Sequence, residues 1–373
     1  MKKLFFICWG ITLTLSVFLL LAANVKEIGR RFLQSDAPEG YRTGDMFRMS
    51  MIDSFVEYFP QVYAKGHGQL ETADIITFGD SFLNCGYGSP HFPDILEGST
   101  GLRVVNVAGT DTNPIDYLES VSYQKGKDKI LIWEKVERLA FQNGQEQLDT
   151  KYVPRNLADK VRNGLRWRLD AGNEWVKDRL IALNNDNPDY QYFFLNSKVT
   201  YPLAKFVANF RFRFLDELHP EIGAYSMNPK MLFDEDSVTF NRRTKTKDEI
   251  DALAKFIAQT SRELKKRYNV QLIFAMVPNK YTVYHDFVRG DYIYDDFVPN
   301  LNQKLHEHGV VYADIYQTFH NYRATDDSQL LYFSTDTHWT PLGKAVFLKE
   351  IIKTMNAAHK DQQGVKDDSH IAT

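Results

Sequence analysis

Five short apolar runs, at residues 74–78, 103–107, 129–133, 271–277 and 310–315, punctuate this chain, with helical patterns between several of them. Runs this short and this apolar read as strands buried on both faces. Strands separated by helices must lie parallel, because parallel neighbours need crossover connections. One such helix carries Ile250, Leu253, Ala254, Ile257, Ala258, Ser261 and Leu264 on one face and Lys255, Arg262, Glu263 and Lys266 on the other. A last helix opens with Thr340 as N-cap and Pro341 at its first position, and is expected to bury Ala345, Leu348, Ile352 and Met355. The expected architecture is a three-layer α/β/α sandwich around a five-stranded parallel sheet in flavodoxin-like order. Ligands of such sheets bind beyond the carboxyl ends of the strands. Polar residues gather there: 79–81, 109–113, 134–138, 278–281, and Asp336 with His338.

The first and last of these rim segments carry reactive chemistry. Gly79-Asp80-Ser81-Phe82 follows the run Ile75-Ile76-Thr77-Phe78, and Asp336-Thr337-His338-Trp339 precedes the last helix. A serine hydroxyl needs a base to take its proton, and a histidine needs a carboxylate to fix its tautomer. The two strings supply all three groups, where either alone is a weak signal. Bland readings stand beside this one. Ser81 could cap a helix, Asp314 or Asp327 could be the histidine's partner, and Trp339 reads as packing. Glu134, Glu137 and Arg138 could form an ion-pair network beneath the site, of little catalytic worth. His306 and His308 have no carboxylate or cysteine at ligand spacing, so no metal site is expected.

Composition excludes other classes. With 373 residues, 43% hydrophobic and 25% charged, the chain is globular, and a net charge of −3 gives no field for nucleic acid. Two cysteines, Cys8 and Cys85, rule out a disulfide framework. Residues 4–25 carry no charge and follow Lys2 and Lys3, which predicts a retained transmembrane helix. Residues 140–248 lack the strand–helix rhythm and hold the strings Tyr190-Gln191-Tyr192-Phe193-Phe194 and Phe210-Arg211-Phe212-Arg213-Phe214. Alternation at period two predicts a half-buried strand for the second. The alternative is a glycan surface of aromatic faces with Arg211 and Arg213. The polar residues 360–373 are expected to be disordered.

The Gly-Asp-Ser-Phe turn after a first strand, a glycine after the second and an Asp-His pair before the final helix resemble the SGNH (GDSL-like) hydrolase superfamily. Asp336-Thr337-His338-Trp339, Ile132-Trp133-Glu134-Lys135-Val136-Glu137-Arg138 and Val277-Pro278-Asn279-Lys280-Tyr281 are similar to strings of its alginate O-acetyltransferase AlgJ/AlgX-type branch. In alginate proteins the Asp-His string precedes the serine, whereas here the serine comes first, which argues against the alginate system itself. The resemblance implies Ser81 as nucleophile, His338 as general base and Asp336 as its orienter. The amides of Ser81 and Gly109 would hold the oxyanion. The Gly-x-Asn-Asp block of ordinary SGNH hydrolases is missing, leaving Asn113 or Arg138 as further donor. Trp339, Lys280, Arg211 and Arg213 are candidate substrate contacts. The implied activity is acetyl transfer to an exported polysaccharide or envelope glycan, with a multi-span membrane acyltransferase as acyl donor. The implied place is the bacterial cytoplasmic membrane, the body facing outside. Alternatives are a carbohydrate esterase using water, or a silent glycan-binding or assembly protein. No cofactor is implied. The expected organisation is an anchor or signal segment at 1–25, a stalk and wrap at 26–70, SGNH-like parts at 71–139 and 249–358 around an insertion at 140–248, and a tail at 359–373.

Overall fold

A computed structural model of the chain describes residues 2–24, 41–65, 68–109, 112–141, 201–288 and 294–370, with side chains left undescribed at 19–20, 22–24, 41–42 and 359–370. The string 190–194 lies outside them. The chain divides into two units, Met1–Pro38 with Asp149–Glu217, and Glu39–Leu148 with Leu218–Thr373.

The second unit holds strands β1 (Tyr41–Thr43), β2 (Tyr58–Pro60), β3 (Ile75–Gly79), β4 (Val104–Ala108), β5 (Lys129–Val136), β6 (Ile222–Met227), β7 (Lys230–Asp234) and β8 (Val270–Val277). Its central sheet is parallel with order β4-β3-β5-β8. This is the flavodoxin-like order for the first four expected strands. The fifth does not form a strand. It contributes one parallel bridge, Tyr312 to Phe274, fixed by Phe274 N donating to Val311 O and Ala313 N donating to Phe274 O. The reason is local: Asp314 already caps the next helix, its side chain accepting from Gln317 N at 3.0 Å.

Residues alternate strictly between the two faces. Ile130, Ile132, Ile273, Ala275 and Val277 enter one core with the helices Phe92–Thr100, Ile315–Thr325 and Pro341–His370. Leu131, Trp133, Leu272, Phe274 and Met276 enter the other with the helices Lys247–Glu263 and Phe297–Glu307. Burial on both faces is why these strands read as unbroken apolar runs. The final helix presents Phe347, Ile351 and Met355 to its core, while Ala345 is exposed. The buried stripe is therefore set one residue away from much of the expected one. The same helix continues to His370, where disorder is expected from composition. Adding residues to an existing helix is far easier than nucleating one.

The first unit contains α1 (Lys2–Asn24) and a helix Tyr201–Leu215. The expected transmembrane helix is not found, since among the described residues no helix is long and apolar enough to cross a membrane. The strand expected at 210–214 is helical. Phe206, Phe210 and Phe214 are four apart, with successive centroids 6.5 and 4.9 Å apart, so the alternation hid a helical stripe.

Candidate active site

The β3 strand ends in a turn that the sheet itself braces. Phe82 N donates to Asp80 Oδ1 at 2.9 Å, Val136 N donates to Asp80 Oδ2 at 3.1 Å, and Asp80 N donates to Glu134 Oε2 at 3.1 Å. Gly79 is obligatory here, because a Cβ would sit 2.4 Å from Glu134 Oε2 and 2.7 Å from Glu134 O. Glu134 is fully buried, and burial followed by the charge of Asp80 raises its pKa well above the usual carboxylate range. Burial thus favours the neutral form of Glu134 beneath the turn. Phe82, buried behind the exposed Ser81, packs against His338 and Trp339 with centroids at 4.9 and 5.1 Å.

The turn delivers Ser81 to the loop before the last helix. His338 Nε2 lies 2.8 Å from Ser81 Oγ, and His338 Nδ1 lies 2.6 Å from Asp336 Oδ1. With Nδ1–H donating to Asp336 Oδ1, Nε2 is left to accept from the serine hydroxyl. Asp336 is fully buried and also accepts from His338 N and Asp45 N, each at 2.9 Å. Burial opposes its charge, yet His338 and these donors hold its pKa below the ordinary value. Burial likewise opposes a charged His338, but Asp336 and then Asp45 raise its pKa overall. Neither Asp314 nor Asp327 serves the histidine: the first caps its helix and the second pairs with Arg323 at 3.0 Å.

Two groups at the site have no sequence signal. Asp45, on a short helix Asp45–Ser50, holds the loop with three hydrogen bonds described below. Glu57 accepts from Thr335 Oγ1 at 3.3 Å, its pKa raised by burial. Nothing in the composition of the wrap distinguishes either from a surface acid. The acceptor atoms of Asp45, Asp336 and His338 lie within 4.8 Å of one another, as metal ligands would. Their carboxylate oxygens are already occupied by backbone and hydroxyl donors, so hydrogen bonding accounts for the cluster.

The other candidates fare differently. Gly109 N donates to Gly79 O at 2.8 Å, so this amide is engaged in the backbone and is not offered to an oxyanion. Asn113 caps the helix Pro114–Ser120: its Oδ1 accepts from Ile115 N and Asp116 N, and its Nδ2 donates to Asp116 Oδ2 at 2.7 Å. Asn113 is a structural cap. Arg138 stands 3.7 Å from Asp234 and is held charged by it, and by Asp80 and Asp45, against its burial. Among the described residues Glu137 accepts from Asn279 N, Thr282 Oγ1 and Tyr294 OH rather than pairing with Arg138. Trp339 is wholly buried between Phe82, Phe92 and Phe347 and is no substrate platform. Lys280 is no substrate contact either. It is fully buried, donating to Ser334 O at 2.8 Å and Asp336 O at 3.2 Å, and burial pushes its pKa down to about 7. Arg211 pairs with Glu217 at 2.8 Å and Arg213 is exposed, both in the first unit. The Ser81 amide makes no backbone hydrogen bond among the described residues, so no competing acceptor claims it there.

Residues 228–370 match a family model described as an SGNH hydrolase-like domain of the acetyltransferase AlgX. The matched segment includes Asp336 and His338 but not Ser81. Among solved structures, a single-substitution variant of an acetyl xylan esterase from Geobacillus stearothermophilus aligns at 11% identity, covering 78% of this chain and 95% of that one, with a TM-score of 0.32. No curated protein matches.

Proposed function

We propose that this chain transfers an acyl group, acetyl in the first instance, to a hydroxyl of an exported or envelope glycan through an acyl-enzyme on Ser81. The reading is supported chiefly by the unbroken hydrogen-bond series Ser81 Oγ, His338 Nε2, His338 Nδ1, Asp336 Oδ1, at 2.8 and 2.6 Å. The family match over the segment that bears Asp336 and His338 supports acyl-transfer or ester-hydrolysis chemistry in general.

In this reading Ser81 Oγ attacks the acyl carbonyl as its proton passes to His338 Nε2. Asp336 stabilises the resulting imidazolium. The Ser81 amide stabilises the tetrahedral oxyanion. Collapse breaks the donor's ester bond, and its leaving oxygen takes the proton from His338. A glycan hydroxyl then gives its proton to His338 and attacks the acyl-enzyme; the acyl–Oγ bond breaks, His338 returns the proton to Ser81 Oγ, and the glycan leaves as the ester. A multi-span membrane protein as acyl donor, and a place outside the cytoplasm, belong to the same proposal.

The test is acetyl release from an aryl acetate, followed by product analysis with and without an oligosaccharide acceptor. Ser81→Ala should abolish release and block fluorophosphonate labelling of the protein. Acetylated oligosaccharide marks a transferase, and free acetate alone marks an esterase. Equal turnover by wild type and Ser81→Ala would sink both readings.

A further inference from the structure

We propose that Asp45 is a positioning residue for His338: a second carboxylate, brought in by the wrap, that locks the Asp336–Thr337–His338 loop and keeps negative charge around the imidazole. The inference rests on the roles given above to Ser81, His338 and Asp336. Asp45 grips the loop at three points. Its amide donates to Asp336 Oδ2 at 2.9 Å, its Oδ1 accepts from Thr337 N at 3.0 Å, and its Oδ2 accepts from the Thr337 hydroxyl. The neighbouring backbone closes on the same loop, with Phe47 N donating to Thr335 O at 3.2 Å. Gly44 makes the approach possible, since a Cβ there would lie 2.0 Å from Thr335 O.

Bracing alone does not explain a carboxylate. A serine or asparagine would still accept from Thr337 N, though not from the Thr337 hydroxyl as well, without placing two like charges in one buried site, which is costly. What a second charge adds is stabilisation of the imidazolium that forms when His338 takes the serine proton. The charges facing Asp45 fit that purpose: Asp336 and His338 on the loop, Lys280 and Arg138 as nearby cations, and Asp234 and Glu57 around Lys280. Cys85 also lies within reach of both carboxylates and is raised to about 11, first by burial, so it stays a neutral thiol. Burial and then Asp336 raise the pKa of Asp45, while His338, Thr337 and Met46 favour its charged form.

The test uses the full-length chain, with kcat and KM for an aryl acetate and the rate of fluorophosphonate labelling measured across pH. Asp45→Asn keeps an acceptor for Thr337 N and removes the charge. It should lower kcat about 10- to 100-fold with KM unchanged, and move the acid limb of kcat/KM and of labelling to lower pH. Thr337→Val, which removes only the hydroxyl donor to Asp45, should move the limb in the same direction. It serves also if Asp45→Asn fails to fold. An acid limb that stays in place in the folded variants overturns the proposal while leaving the Ser81 chemistry intact. A wild type that neither turns over nor labels overturns both.

Discussion

In the proposed mechanism the acid–base groups on one side of Ser81 are held from several directions, and the oxyanion side has one unengaged donor among the described candidates. His338 and Asp336 are fixed by Asp45, by the Lys280 bonds to the loop carbonyls and by the packing of Phe82. Across the site, Gly109 N is committed to Gly79 O, Asn113 caps a helix and Arg138 is paired with Asp234. The contrast teaches that reactive groups can be read from residue type, whereas oxyanion donors are backbone or side-chain hydrogens whose availability depends on who else accepts them.

The largest expected effects break the better-built side. Ser81→Ala and His338→Ala should each lower kcat about 10⁴- to 10⁶-fold, and Asp336→Asn about 10⁴-fold, in steady-state assays of aryl acetate turnover. Arg138→Met sharpens the other side. Loss of an oxyanion donor costs about 10²- to 10³-fold in kcat, and this variant should lose well under that, because Arg138 is engaged by Asp234.

Next comes Lys280, which sits under the loop without touching the chemistry. Its pKa is about 7 when folded and about 10.4 when unfolded, so the unfolded chain binds more protons between these values. Stability should therefore rise with pH from about 7 to about 10, with the burial penalty fully present below 7. Lys280→Met should flatten that rise in thermal midpoints measured across the window, leaving the part owed to Lys135 and Lys344, whose pKa values burial lowers to about 8. The smallest effect is expected at Asn113. Asn113→Ala should lose about 1 kcal/mol of stability, the ordinary worth of an N-cap, with kcat unchanged. A loss of kcat there would return Asn113 to the oxyanion side.

How much of this was legible in sequence follows from the range of the forces involved. Four strands and the helix Lys247–Glu263 announce themselves by local periodicity. Ser81, Asp336 and His338 stand out because few other tasks need those residue types at strand ends. The fifth strand failed because a cap at Asp314 competes with the sheet for the same residues. Phe210 and Phe214 misled because a period-two pattern includes a period-four one. Asp45 was invisible, since its partners lie 291 and 292 residues away and its own neighbourhood is that of any exposed helix start.

The Gly44–Thr335 contact has a bearing on biosynthesis. In the proposed mechanism Ser81 leaves the ribosome 257 residues before His338, and Asp45 leaves earlier still. Until the late loop docks against Gly44, Ser81 lacks the hydrogen bond to His338 that the proposed chemistry requires. Activity thus reports on completed folding, and assembly through such distant partners is intrinsically slow. A protease cut among the exposed residues Tyr63, Ala64 and Lys65 of the wrap, leaving every reactive group in place, would probe whether the finished molecule still depends on that early segment being tethered.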